Sequence, residues 1–287
     1  MPMNPRLLRP RQTTHPEASD WANRVRANGG SVSGTTLSAV DRFCKSITAA
    51  GIRDRFYRLN LFCGTGLNAC LVPLYRGQSL GGTQFGNTID TNNGPFVEGN
   101  YVETGATGGL WYGGVGTNSS KYLNTGLPQS TIPLTNLHLS ASLRDGETTY
   151  SGENTLIGHY GASQSDFAVL RQAITTGSRE FFAGSFSGAV SAAAASVEQH
   201  VLGVRSSATS ATLYRSGSAV ASSAVNIGSA TTSALPYFVF ARNNSGTPNN
   251  YTSARLRMYS IGTAMDGTAA LAFANAVAAF NTAMGRT

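Results

Sequence analysis

The chain is nearly devoid of lysine: of its 21 basic residues only Lys45 and Lys121 are lysines, and the rest are arginine. Charge of either sign is scarce as well. Charged residues make up 12% of the 287, about half of the roughly 25% usual in soluble domains. A surface hydrated mainly by ions is therefore excluded, and hydroxyls, amides and glycine-rich turns must take that part, a composition that suits strands better than free-standing helices. Cysteine is limited to Cys44, Cys63 and Cys70. An odd number in a long chain without a secretion signal argues for reduced thiols made in a cytoplasm, where the sequons at Asn118, Asn243 and Asn250 carry no meaning. No apolar run reaches the length of a membrane span, and "MPMNPRLLRPRQTTHP" has prolines where a signal peptide needs an apolar helix. The expectation is a soluble protein with no membrane partner.

What is present is unevenly placed. Residues 1–76 carry eleven Lys or Arg against four Asp or Glu, whereas residues 77–287 carry ten of each. The basic front can be a solvated face, or a surface for an acidic protein partner ahead of nucleic acid, since the planar arginine fork suits contact surfaces. Residues 1–16 hold four prolines interleaved with Arg6, Arg9 and Arg11. Such a segment cannot be helical and reads as an extended basic arm. Glu17 to Asn28 follows a proline, opens on an acid and stops at Gly29 and Gly30, which predicts a short helix. Ser33 to Ala50 predicts a second, with Leu37, Val40, Cys44 and Ile47 on one seam. Cys44 is thereby expected to be a buried structural thiol.

Beyond residue 77 the texture is glycine-rich, and from about residue 121 short alternating runs recur between turn signals. "NLHLSASL" puts Leu137, Leu139, Ala141 and Leu143 on one face and Asn136, His138, Ser140 and Ser142 on the other, a half-buried strand. "TLIGHYG", "DFAVLRQA", "REFFAGSF" and "QHVLGVRS" read as further strands, and "ATLYRSGSAVA" as a hairpin turning at Ser216 and Gly217. "PYFVFAR" sets Tyr237, Val239 and Ala241 against Phe238, Phe240 and Arg242. "ARLRMYSI" sets Leu256 and Met258 against Arg255, Arg257 and Tyr259. Strands broken every ten residues or so indicate an all-β sandwich or barrel. A final helix, capped by Asp266 and stopped at Gly285, carries Phe273, Val277, Phe280 and Met284 as a stripe that must dock on the sandwich or on the front helices.

Most constellations that could carry chemistry fail on spacing. "CGTGLNAC" has Gly64 and Gly66 but neither the third glycine of a dinucleotide fingerprint nor the Gly-Lys-Ser/Thr end of a P-loop. Cys63 and Cys70 are seven apart, unlike redox or zinc pairs, so the stretch reads as an apolar connector. A glycan-cleaving pair needs two acids on one strand face. Asp145 and Glu147 straddle a turn glycine, and Glu98 and Glu103 have an odd spacing that points them apart. The four histidines lack a Gly-x-Ser-x-Gly elbow. Asp90, Asn92 and Gly94 begin like a calcium loop, but Pro95 and Tyr101 occupy required positions, leaving a turn. No catalytic residue, metal site or cofactor is expected.

Two regions resemble known families. The run from "ATLYRSGSAVASS" through "YFVFARNNSGTPNNYTSARLRMYSIG" to the last helix, roughly residues 120–287, resembles the closing strands of the concanavalin A-like, or laminin G-like, jelly roll. "DWANRVRANGGSVSGTTLSAVDRFCKSITAAGIRDRFYRLNLFCGTGLNACLVPLYRG", residues 20–77, is similar to the front module of structural proteins encoded by tailed bacteriophages and prophages. The resemblance implies a mainly β protein: an antiparallel jelly-roll sandwich with a small N-terminal helical module and a C-terminal helix. Its parts are an arm at 1–16, a docking module at 17–77 and a sandwich at 78–287 closed by a helix at about 266–284. It implies a non-enzymatic virion component, a head decoration or a tail or baseplate protein, made in the host bacterial cytoplasm. Its partners are then capsid or tail subunits and copies of itself. Arg6, Arg9, Arg11, Arg24 and Arg26 are the assembly-contact candidates. The alternatives are a carbohydrate-binding adhesion module using Trp111, Tyr112 and Tyr122 on a host-surface glycan, and a polysaccharide-cleaving enzyme.

Overall fold

The computed structural model describes residues 13–113, 120–145, 153–161, 163, 165–173, 177–194, 199–228 and 230–286. The order begins with helices α1 (Pro16–Ala27) and α2 (Gly34–Ala49), strand β1 (Phe56–Asn60) and the single turn α3 (Leu67–Cys70). Short strands β2 (Thr91–Asn93), β3 (Tyr101–Val102) and β4 (Gly109–Leu110) lead to the longer β5 (Tyr122–Pro128), β6 (Leu137–Asp145), β7 (Glu153–Tyr160), β8 (Phe167–Ala173) and β9 (Ser178–Ala183). There follow β10 (Val190–Ala193), β11 (Gln199–Ser207), β12 (Ser210–Arg215), β13 (Ser218–Ser223), β14 (Pro236–Val239), β15 (Arg242–Asn244), β16 (Thr247–Asn249), β17 (Arg255–Gly262) and helix α4 (Gly267–Ala283).

The strands form two sheets, and the fold is a mainly β, antiparallel jelly-roll sandwich: of the sandwich and barrel that the strand spacing left open, the sandwich forms. The eight-stranded sheet runs β13-β12-β11-β6-β17-β4-β3, with β1 also paired to β17. The nine-stranded sheet runs β10-β9-β8-β7-β14-β5-β2, with β15 laid parallel to β7 and paired to β16. Leu139, Leu143, Leu170, Phe181, Val201, Tyr237, Leu256 and Ile261 fill the space between the sheets. A second core lies on the other side of the eight-stranded sheet, where Trp21, Val40, Phe43, Ile47, Phe273, Val277 and Phe280 from the three long helices meet Phe56, Leu202, Val204 and Met258. The molecule thus has three layers, helices over sheet over sheet. Residues 17–77, expected as a docking module, contribute a strand to the sandwich and most of the second core.

The helix ends follow local chemistry. The Ser33 hydroxyl accepts from the Thr36 amide and Asp266 accepts from the Ala269 amide, satisfying amides that have no partner within the helix. The apolar stripe of α4 docks on both expected surfaces: Phe280 meets Phe43 edge-on at 6.0 Å, and Phe273 meets Phe56 at 4.9 Å and His200 at 4.8 Å.

Three strand expectations are corrected. The polar face of β6 is buried, because α4 and its neighbours cover it and its groups bond one another instead of water. His138 shares hydrogen bonds with the Thr263 carbonyl at 2.7 Å and the Ser260 hydroxyl at 3.0 Å, and Ser140 with Ser260 at 2.8 Å. Alternation through "PYFVFAR" breaks at Phe240, whose φ of 69° turns its ring into the inter-sheet core beside Tyr237 and Val239. In β17 the register shifts between Leu256 and Met258, so Leu256 and Tyr259 face the inter-sheet core while Met258 faces the helices.

Candidate functional site

The uncharged stretch at 59–74 is an internal clasp. After β1 the chain passes through Gly64 and Gly66 with φ of 97° and 85°, then enters α3. Both glycines are required by φ, and Gly64 by space as well: a Cβ there would stand 2.6 Å from Ala69 Cβ. The amides of this loop point as a phosphate loop's would, but the chain's own carboxylates take them. The Gly64 amide donates to Glu103 Oε1 at 3.1 Å and the Leu67 amide to Glu98 Oε2 at 2.9 Å. Glu103 Oε1 also accepts from the Thr36 hydroxyl at 2.6 Å, tying the loop to α2. Glu98 and Glu103 therefore act as braces. Cys63 and Cys70 are buried and free, and burial pushes both thiols up, away from the reactive thiolate.

Asp90 lies at the junction of β1, β17 and the loop before β2. It is fully buried against Arg58, whose Nη2 donates to Asp90 Oδ1 at 2.6 Å, and it accepts from the Tyr259 hydroxyl at 2.7 Å and the Asn60 amide at 2.8 Å. Burial alone would depress the Arg58 guanidinium, but Asp90 and Tyr259 together more than offset it. The aspartate that opened the calcium-like turn is a structural ion pair, and Asn92 folds back on the amide and carbonyl of Phe96.

The long helices α1, α2 and α4 share a core on the side of the eight-stranded sheet, so among the described residues no long helix covers the outer face of the nine-stranded sheet. Alternation along β8 directs Ala168 and Leu170 inward and Phe167, Val169 and Arg171 outward. Arg171 is bracketed by Glu153 and Glu180, with Nε donating to Glu180 Oε2 at 2.7 Å, and its guanidinium lies 4.5 Å over the Phe182 ring. Arg242 bonds Asn249 Oδ1 at 3.0 Å and lies 5.3 Å over Tyr160. Phe186 stacks on Phe167 at 4.2 Å. Beyond this charged stripe, Tyr122 packs on Phe238 at 4.6 Å and on Tyr251 at 6.3 Å. Phe167 and Phe182 are buried under their neighbours, so the rings left half-exposed on this face are Tyr122, Tyr160, Phe186 and Tyr251, while Arg171 pairs with both Glu153 and Glu180.

The nominated residues are dispersed. Arg6, Arg9 and Arg11 lie outside the described residues, as does Glu147. Arg24 turns inward, donating to Asp20 Oδ2 at 2.8 Å and to the carbonyls of Pro73 and Leu74 at 2.7 and 2.9 Å. Arg26 is exposed and bonds only its helix neighbour Asn23 among the contacts of the described residues. Trp111 lies under the Arg255 guanidinium at 4.7 Å, and Tyr112 beside the Lys121 ammonium at 5.7 Å. Trp111 and Tyr112 follow β4 of the eight-stranded sheet, whereas Tyr122 opens β5 of the nine-stranded one, with Lys121 between them donating to the Tyr112 carbonyl at 3.2 Å. Sequence reasoning passed over Arg171, Arg242, Glu153 and Glu180; the outward Phe-x-Val-x-Arg alternation at 167–171 is the signal that marks them.

The chain matches no protein-family model and no curated protein. Among solved structures it is similar to the sialidase of Trypanosoma rangeli bound to the inhibitor DANA, with 12% identity and a TM-score of 0.46 over 83% of this chain and 38% of that one. It is similar to a K499G mutant of the NanB sialidase of Streptococcus pneumoniae, with 12% identity and a TM-score of 0.40 over 51% and 25%. The CBM40 of the Ruminococcus gnavus IT-sialidase gives 13% identity and a TM-score of 0.37 over 48% and 82%. The chain spans a quarter of the length of the NanB structure it matches. The fold assignment rests on the strand pairing described above.

Proposed function

We propose that this chain is a non-enzymatic structural component of a bacteriophage particle, a head decoration or a tail or baseplate protein, that works by surface contact. One observation carries the reading: the acids available for chemistry serve as structural partners. Glu98 and Glu103 brace the glycine loop, Asp90 neutralises Arg58 in the core, and Glu153 and Glu180 bracket Arg171. The similarity of residues 20–77 to phage structural modules and the arginine-bearing arm support the placement in a virion. Head and tail proteins differ in copy number, so quantitative mass spectrometry of purified particles from the producing strain tests both the placement and its location. Hundreds of copies indicate a head decoration and a few indicate the tail. Particles lacking the chain overturn the proposal.

A second reading, a glycan-binding adhesion module, is favoured by the half-exposed Tyr122 and Tyr251 on the helix-free face. Rings of this kind stack on the apolar faces of sugars. A glycan array with the intact protein and with Tyr122→Ala tests it. Binding lost in the variant supports the reading, and an array without hits removes it.

A further inference from the structure

At the root of the arm, three side chains of metal-binding type converge although nothing in their spacing announces it. His15 caps α1, Glu17 stands in its first turn, and Cys44 lies on the buried seam of α2. One nitrogen, one carboxylate oxygen and the sulfur lie within 4.8 Å of one another. Each is positioned by other parts of the fold. The His15 amide donates to Asp41 Oδ1 at 2.6 Å, and its ring shares a 3.1 Å bond with the Thr48 hydroxyl, so two residues of α2 hold it. Arg53 donates to Glu17 Oε1 at 2.6 Å while its guanidinium sits 3.8 Å over the Tyr75 ring.

That arrangement leaves a defect. Glu17 Oε2 is buried with no hydrogen-bond partner, on a side chain only 7% exposed. The Tyr75 hydroxyl beside the Cys44 thiol is likewise buried without a bond of good geometry. An unpartnered buried carboxylate oxygen costs free energy unless something occupies its lone pair. His15 Nδ1 is engaged only by a long 3.3 Å bond from the Glu17 amide, so its lone pair is also open to a stronger partner.

We propose that His15, Glu17 and Cys44 bind a zinc-class divalent cation that fastens the first turn of α1, and with it the root of the N-terminal arm, to α2. A thiolate, an imidazole and a carboxylate are the donor set of zinc and exclude hard cations such as calcium and magnesium. Metal–ligand bonds of about 2.0–2.3 Å set tetrahedral ligand separations near 3.3–3.8 Å. The cluster reaches these by closing roughly 1 Å, a shift available to the partly exposed His15 ring. Solvent supplies the fourth ligand on that side. The Tyr75 hydroxyl donates to the thiolate as the outer partner that such sites use to orient a ligand. The Cys44 thiol is buried on the seam of α2 and ligates as its thiolate. Binding breaks the S–H bond, forms the metal–sulfur bond and releases one proton to solvent.

The test uses the full chain, freed of metal with a chelator and titrated with Co2+ and then Zn2+. One equivalent of Co2+ is expected to give an intense tetrahedral visible spectrum and a thiolate-to-cobalt charge-transfer band, both abolished by one equivalent of Zn2+. Cys44→Ser removes the charge-transfer band. His15→Asn keeps a capping side chain and weakens Co2+ binding by about tenfold or more. Because Cys63 and Cys70 are also thiols, a band that persists in Cys44→Ser overturns the proposal, as does a wild-type protein that gives no band. Should Cys44→Ser fail to fold, the His15→Asn titration decides: unchanged affinity overturns the assignment.

Discussion

Buried charge is the most sensitive residue-scale feature. Arg58 and Asp90 have no solvent exposure, so each depends on the other for neutralisation. Removing one member of such a pair costs about 3–5 kcal/mol because the other is left charged and unpartnered, while replacing both with apolar residues of similar volume is far less harmful. Asp90→Ala is expected to lower stability by that amount in urea unfolding, and Arg58→Met with Asp90→Leu to recover most of it; equal losses would show that the hydrogen bonds of Asn60 and Tyr259, rather than charge, dominate. The histidines under α4 set the acid limit. Burial lowers His138 from 6.5 to about 4, and lowers His200 to about 3, where the neighbouring His138 adds to the effect. A histidine depressed in the folded state binds its proton more readily once unfolded. Stability is therefore full above pH 6.5 and falls as pH drops below it, by about 1.4 kcal/mol per unit for each histidine, until the folded-state values are reached. Unfolding at pH 7, 6 and 5 measures the slope, to which the buried and likewise depressed His159 adds, and His200→Gln is expected to remove about a third to a half of it. A slope unchanged in that variant would assign acid sensitivity to other groups.

Elements whose ends are decided locally were legible in the sequence, and elements whose faces are decided at a distance were not. Ser33 and Asp266 cap as their neighbours require, and Gly51 and Gly285 adopt φ of 67° and 65° just beyond the ends of α2 and α4. The Ser216–Gly217 turn forms with φ of 48° and 84°. In contrast, nothing within "NLHLSASL" reports that Phe56, His200, Ser260 and Thr263, distant in the chain, will enclose His138 and Ser140. The bulge in β17 and the positive φ of Phe240 each reverse a face without altering composition. The zinc-class cluster was hidden for the same reason, since Cys44 joins His15 and Glu17 only through the packing of α1 on α2. The glycine clasp was half legible: its glycines were visible, but the acids that fill it come from 98 and 103. This clasp yields an element-scale test. Gly64→Ala meets both a left-handed φ and a 2.6 Å approach to Ala69, so a loss of about 1–3 kcal/mol from backbone strain alone is expected. Glu103→Gln keeps an acceptor for the Gly64 amide and is expected to cost nearer 1 kcal/mol. Thermal melts that rank the two in the opposite order would show that the carboxylate charge, not loop geometry, holds α3 in place.

At the scale of the molecule, the charge imbalance of the front quarter is smaller at the surface than in the sequence. Arg24, Arg53 and Arg58 are spent on Asp20, Glu17, Asp90 and backbone carbonyls. Among the described residues the exposed front arginines are Arg26, Arg42 and Arg55, and Arg55 lies 3.7 Å from Asp54. In the proposed virion role, contact with an acidic partner through this quarter would fall to Arg26 and Arg42, together with Arg6, Arg9 and Arg11, which lie outside the described residues. Two classes of arginine variant should then separate cleanly. Arg24→Ala breaks a bracket between α1 and the 73–74 backbone and is expected to lower the melting temperature. Arg26→Ala with Arg42→Ala should leave the melt unchanged and weaken attachment. Charge-driven attachment is screened over about 8–10 Å at physiological salt and weakens as salt rises. Purified particles washed through a salt gradient are therefore expected to release Arg26→Ala/Arg42→Ala protein at lower salt than the parent, with Arg6, Arg9 and Arg11→Ala releasing earlier still. Release at one salt concentration for parent and variants alike would mean that the helix-free sheet, with its aromatic rings and compensated charges, makes the contact instead.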